Sequence, residues 1–178
     1  MELKTKRLIL RELKETDAEA FAENGNDKEI KYFNWYLPFP LTTEKALKII
    51  KKRLVPIQGH RWLYELAITL EETQEFVGIV SLYDVDKPEN KAKLGYWMGK
   101  GYREKGYAKE AAQEIIRFAF QDLKLNKILA KCMADNFKSI ELLKKLNFRE
   151  IGIKKWDKVI EGKKHDVVEF EILNKNLE

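Results

Sequence analysis

The chain has 178 residues, with 34 Lys and Arg against 29 Asp and Glu, and a formal charge of +5. That length predicts one domain, residues 1–178, with room for a real core. The single cysteine, Cys132, excludes an internal disulfide, and two histidines without a CxxC pair argue against a metal site. There is no apolar leader, and no run approaches the ~20 residues that span a bilayer, so a cytoplasmic protein without a membrane partner is expected. The mild basic excess is compatible with a polyanionic ligand or a site near RNA and demonstrates neither.

Residues 5–13 alternate polar with apolar as a strand does, with Arg7 and Arg11 on the outer side. Thr16 or Asp17 can cap a helix to about Asn24, which Gly25 ends. Residues 30–40 hold five aromatics and two prolines and read as an aromatic loop or broken helix. Its rings either complete the core or wall a pocket. Thr42 or Thr43 starts a second helix to about Leu54, closed by Pro56 and Gly59. Residues 62–70 and 75–83 form a hairpin around a polar Glu-Glu-Thr-Gln-Glu turn, and a second turn at 84–90 precedes a strand at 91–99.

Residues 94–120 organise the rest. The apolar run 94–98 suits a buried strand, and residues 99–106 pack three glycines and three basic residues into eight positions. Apolar residues at 108, 111, 112, 115, 116 and 119 then give one buried helical face. A strand feeding a glycine-rich basic loop that opens a helix is a phosphate cradle, because free N–H groups and the helix dipole both favour an anion there. A P-loop is excluded, since Tyr107 and Ala108 stand where it needs Lys and a hydroxyl. A dinucleotide loop is excluded by Glu104 at its third glycine. Residues 126–133 form a further strand and 136–146 a helix, with Asn147 able to adopt the left-handed cap. Strands at 148–156 and 165–173 flank a turn at Glu161-Gly162. Together these elements describe an α+β mixed sheet.

The loop Arg103-Glu104-Lys105-Gly106-Tyr107-Ala108 matches the pattern (Arg/Gln)-x-x-Gly-x-(Gly/Ala). With Gly95-Tyr96-Trp97 before it, and Asp135-Asn136-Phe137-Lys138-Ser139-Ile140 and Leu146-Asn147-Phe148 after it, the chain resembles the GNAT N-acetyltransferase superfamily. Within that superfamily it looks like the RimJ/RimL-like branch, which acetylates protein N-termini including those of ribosomal proteins. The resemblance covers nearly the whole chain. It implies a GNAT-like acyl-CoA N-acyltransferase fold, with a mostly antiparallel central sheet splayed at the cofactor site and flanked by helices. It also implies acetyl-CoA as co-substrate, direct transfer to an amine in a ternary complex, no metal and no nucleic acid partner. A homodimer is compatible with it.

The resemblance further implies roles for particular residues. Backbone N–H groups of Arg103, Glu104, Lys105, Gly106, Tyr107 and Ala108 hold the pyrophosphate, with Arg103 or Lys105 adding charge. Trp97, Met98 and Gly99 pair with the pantetheine amides, and an N–H near Met98 polarises the thioester carbonyl. Asn136 meets the pantetheine arm and Ser139 stands beside the transfer centre; their bland alternatives are an N-cap and a polar residue at N3. Relatives carry a tyrosine acid where this chain has Leu143, which leaves Ser139 as the general acid. They often carry a glutamate where Lys93 stands, so Glu65, Glu75, Asp84 and the loop acids remain unranked as bases. Tyr32, Trp35 and Tyr36 are expected to wall the acceptor pocket. Cys132 reads as core packing, and His60 and His165 have no assigned role.

Magnitudes bear on the acceptor. An α-amine with pKa near ~7.8 is roughly a third neutral near neutral pH, whereas a lysine near ~10.4 is about 0.1% neutral. Weak base machinery therefore favours a protein or peptide N-terminus, with a small-molecule amine, or a non-catalytic acyl-CoA-binding module, as the alternatives.

Overall fold

The computed structural model describes residues 1–33, 37–54 and 62–174. One sheet of eight strands runs in the order β1-β2-β3-β4-β5-β6-β8-β7. The strands are β1 (Glu2–Lys4), β2 (Leu8–Glu12), β3 (Leu63–Leu70), β4 (Phe76–Asp86), β5 (Lys91–Met98), β6 (Lys127–Met133), β7 (Arg149–Ile160) and β8 (Lys163–Leu173). Every pairing is antiparallel except β5 with β6. Helices α1 (Ala18–Gly25), α2 (Lys28–Phe33) and α3 (Thr43–Leu54) fall between β2 and β3, α4 (Tyr107–Gln121) between β5 and β6, and α5 (Phe137–Lys145) between β6 and β7.

Strand alternation sorts the core into two layers. Leu66 and Ile68 of β3, Val80 and Leu82 of β4, and Leu94 and Met98 of β5 pack under Ala112, Ile115 and Ala119 of α4. On the other face Ala67, Ile79 and Trp97 pack against Phe21 of α1 and Ala46 and Ile50 of α3. The apolar stripe of α4 is the one its spacing requires.

The parallel pair β5–β6 is the irregular feature. Its register runs from Lys91–Lys127 to Leu94–Ala130 and stops. Beyond that point β5 pairs only with β4, through Met98 opposite Gly78, and β6 only with β8, through Met133 opposite Val167. The sheet is splayed there, as the resemblance implies.

Several boundaries differ from expectation for local reasons. The predicted strand 5–13 begins only at Leu8, as the second strand of a hairpin with β1, because Thr5 turns the chain: its N–H donates to Leu8 O (2.9 Å) and its Oγ1 accepts from Leu8 N–H (3.0 Å). Arg11 is not on the outside. It pairs with Asp17 through two bonds of 2.8 and 2.7 Å, with side chains only 13% and 6% exposed. Asp17 also accepts from Lys14 N–H (2.7 Å), so its carboxylate does not cap α1. Gly25 is the last residue of α1 rather than its stop, and the aromatic stretch opens as helix α2. Asn147 does adopt the left-handed conformation, φ 63°, after α5. The β7–β8 turn at Glu161-Gly162 has φ of 49° and 78°, which suits a two-residue hairpin and lets both strands run longer than predicted.

Removing the anion of a buried pair leaves an uncompensated charge. Asp17→Asn is therefore expected to lower stability by about 3 kcal/mol, read as a fall in the urea midpoint with an unchanged m-value.

Candidate active site

A cleft of about 1760 Å³ opens where β5 and β6 part. It touches Leu94, Tyr96 and Met98 on the α4 face and Glu65, Ser81 and Tyr83 on the α3 face, so it passes through the sheet. Strand geometry decides which backbone groups it meets. Gly99 N–H donates to Val77 O (2.9 Å), which turns the N–H and C=O of Met98 to the opposite edge, toward the gap. Met98 O accepts from Arg103 Nε (3.0 Å), leaving the Met98 N–H for a ligand.

The loop after β5 carries a turn at Lys100–Tyr102 and then Glu104 and Gly106 with φ of 65° and 82°. Glycine at 106 adopts that left-handed φ without strain, and it is the N-cap of α4 without a side-chain cap bond. The first-turn N–H groups of α4 thus lack intrahelical acceptors and face the cleft beside Gly106, Tyr107 and Ala108. Arg7 braces this end: it donates to Lys105 O (3.0 Å) and to Glu110 Oε2 (2.8 Å), with its guanidinium 4.6 Å from the Tyr107 ring centroid.

The side chains of the loop are used differently from expectation. Arg103 is bound by Met98 O, by Glu29 and by Asp27 (3.4 Å), so it ties the loop to α2. Lys105 lies over the Tyr102 ring at 5.5 Å, outside the main cleft. Glu104 is neutralised by Lys138 (2.9 Å), whose hydrogen bond holds its carboxyl below the ordinary range. Lys109 and Lys138 line the cleft and were not singled out by the sequence; only their positions near the loop and at the start of α5 signalled them. Gly99 is needed for packing, since a Cβ there would lie 1.9 Å from Asn24 Oδ1.

Asn136 caps α5: its Oδ1 accepts from Ser139 N–H (3.1 Å), while the residue also lines the cleft. Cap and ligand position therefore coexist, and the cap sets the direction of Ser139. The Ser139 hydroxyl meets the Tyr96 hydroxyl at 2.8 Å. Burial raises the Tyr96 pKa, which keeps the phenol protonated and able to donate. Burial also pushes the Cys132 thiol up to about 11, although Ser139 hydrogen-bonds to it, so Cys132 is a poor nucleophile as well as a cleft wall. Leu143 is buried beneath this group. Trp97 is the core aromatic of the pair, 5.4 Å edge-on from Phe21, while its neighbour Tyr96 faces the cleft.

Across the sheet, Glu65, Ser81 and Gly95 form one cross-strand row. Gly95 leaves room for its neighbours on this face: a Cβ there would lie 2.9 Å from Ser81 Oγ and 3.3 Å from the Tyr83 ring. Glu65 is buried with Arg53 as its ion partner, and desolvation raises its pKa against the lowering effect of Arg53. Tyr32 does not wall this side. Its hydroxyl donates to Asp135 (2.8 Å) and meets His165 Nδ1 at 3.1 Å, latching α2 to β8, while Glu29, Ile30 and Phe33 face the cleft. Trp35, Tyr36 and His60 lie outside the described residues. No group of three His, Cys, Asp or Glu suited to a metal ion occurs among the described residues.

A splayed sheet, a strand edge and a helix N-terminus opening on one cleft are the arrangement that the resemblance to acyl-CoA N-acyltransferases implies. Residues 7–149 match the family described as "Acetyltransferase (GNAT) domain". The chain is 31% identical over 176 residues to the uncharacterized N-acetyltransferase p20 of Bacillus licheniformis, covering 97% of this chain and 96% of that one. It is 25% identical over 77 residues, 43% of each chain, to the ribosomal-protein-serine acetyltransferase of Escherichia coli. Among solved structures, RimL, a ribosomal L7/L12 alpha-N-protein acetyltransferase in complex with coenzyme A, superposes with a TM-score of 0.85 at 18% identity, covering 97% of this chain and 98% of that one. The chain belongs to the GNAT acetyltransferase family, and its co-substrate is acetyl-CoA.

Gly106→Asp is expected to weaken acetyl-CoA binding by about tenfold or more in isothermal titration, because it strains the left-handed N-cap and adds an anion. Arg103→Ala is expected to weaken it less, since that guanidinium is already bound to the protein. A larger loss from the arginine change would contradict a backbone cradle.

Proposed function

We propose that the protein acetylates the α-amine of a peptide or protein N-terminus in the cytoplasm, with a ribosomal protein as the acceptor class. The observation that carries this reading is Glu65, a carboxylate only 9% exposed that lines the cleft on the α3 face. Of the acids the sequence left unranked, Glu65 is the one this reading takes as the base. Glu75 is bonded to the Tyr102 hydroxyl and Asp84 to Lys93 (2.7 Å), whereas Glu65 lines the main cleft. The acid missing at Lys93 is thus supplied from β3.

When bound, acetyl-CoA supplies an acetyl thioester as the acyl donor. The N–H of Met98 is placed to polarise its carbonyl. As the acceptor nitrogen bonds to the acetyl carbon and the carbon–sulfur bond breaks, Glu65 takes the proton lost by nitrogen. Ser139, held by the Asn136 cap and the Tyr96 hydroxyl, gives a proton to sulfur. Solvent then restores both groups. A thiol pKa of about 8.5 means the leaving sulfur needs only modest help. A carboxylate already shared with Arg53 suits an amine near ~7.8 better than a lysine near ~10.4. The names of the Escherichia coli relative and of RimL support the acceptor class.

A peptide with a free α-amine is expected to outpace its blocked, lysine-containing twin in an acetylation assay. Faster reaction of the blocked peptide contradicts the proposal, and turnover of small amines alone assigns the protein to a small-molecule acceptor. Glu65→Gln is expected to lower kcat by about a hundredfold. It should also remove from the wild-type pH profile an acid limb lying above the ordinary carboxylate range near ~4.3, because the raised pKa of Glu65 delays its ionisation as pH rises.

A further inference from the structure

We infer that Arg53 and Glu65 together form a receptor for a zwitterionic acceptor, an α-amine with a carboxylate in the same residue; this deepens the α-amine reading and rests on it. Arg53 stands in the last turn of α3 and reaches across to Glu65 on β3. Both side chains line the cleft, 24% and 9% exposed. An amine reaching Glu65 therefore competes with a guanidinium, bound at Oε2, for the same carboxylate. If the acceptor brings only its amine, Arg53 loses its anion in a largely dry site, which is costly. If the acceptor also brings a carboxylate, both charges exchange partners, ammonium to Glu65 and carboxylate to Arg53, and none is left unpaired. The planar guanidinium fork suits a carboxylate better than a point charge does.

Neighbouring cations do not offer the same exchange. Lys93 is held by Asp84 at 2.7 Å and Arg103 by Glu29, both away from Glu65 in the register. The two charges of the receptor are in direct contact, so the acceptor's amine and carboxylate must also be close. A chain beginning with Asp or Glu meets that requirement, and so does a free amino acid. Once bound, the ammonium releases one proton to solvent, and the neutral amine attacks and gives its second proton to Glu65, so the receptor and the base are one group.

Two free-terminus hexapeptides that differ only by Asp or Asn at the first residue test this, beside a blocked lysine peptide and a free amino acid with its carboxamide. Wild-type protein is expected to favour the Asp peptide by about tenfold in kcat/KM, mainly through KM. Arg53→Gln is expected to bring the ratio to about one, and Arg53→Lys to restore part of it. A preference for the free amino acid over its carboxamide, abolished by the same change, would assign the receptor to amino-acid acceptors. Equal turnover of the Asp and Asn peptides by wild-type protein, or a preference that survives Arg53→Gln, overturns the receptor while leaving the α-amine reading intact. Turnover confined to the blocked lysine peptide overturns the α-amine reading itself.

Discussion

The structure depends on one broken ladder. Parallel strands β5 and β6 pair as far as Leu94 and Ala130, then each continues with only its other neighbour. A strand edge inside a protein leaves N–H and C=O groups that need partners. Here Arg103 satisfies the Met98 carbonyl, and the ligand is left the adjacent N–H. The same parting puts the N-terminus of α4 at the mouth of the gap, since the loop between β5 and α4 spans only residues 99–106. Anion site, strand edge and passage through the sheet therefore share one origin.

The elements around the gap act as braces. The β1–β2 hairpin holds the start of α4 through Arg7 and Thr5, both bonded to Glu110, while α2 holds the preceding loop through Asp27 and Glu29 on Arg103. Each exposed pair is worth about 0–1 kcal/mol, too little to explain stability by itself. Their effect is positional: they fix the cradle before any ligand arrives, which lowers the ordering cost of binding. The cap on α5 does the same for Ser139, because Asn136 aims the helix and Tyr96 holds the hydroxyl from across the cleft.

What was legible in the sequence was local. Glycine spacing, the helical stripe of α4 and the Asn136-to-Ser139 cap are all set within a few residues, and they stand where expected. Arg11 was misplaced because its partner, Asp17, comes from the next segment and draws it inward. The ties of Arg103 to Asp27 and Glu29 were not legible, because those partners are distant in the chain. Glu65 was one acid among several, and its place on the cleft follows from long-range pairing, with Ser81 of β4 between it and Gly95 of β5. Tyr96 and Ser139 meet across 43 residues, a pairing that no periodicity reveals.

Amide hydrogen exchange with and without acetyl-CoA, resolved to single residues, tests the broken ladder most directly. The Met98 amide and the first-turn amides of α4 at Tyr107, Ala108 and Lys109 are expected to gain protection on binding, while the Gly99 amide, already bonded to Val77, changes little. Saturating acetyl-CoA that leaves Met98 and the start of α4 as exchangeable as before would contradict the placement of the site.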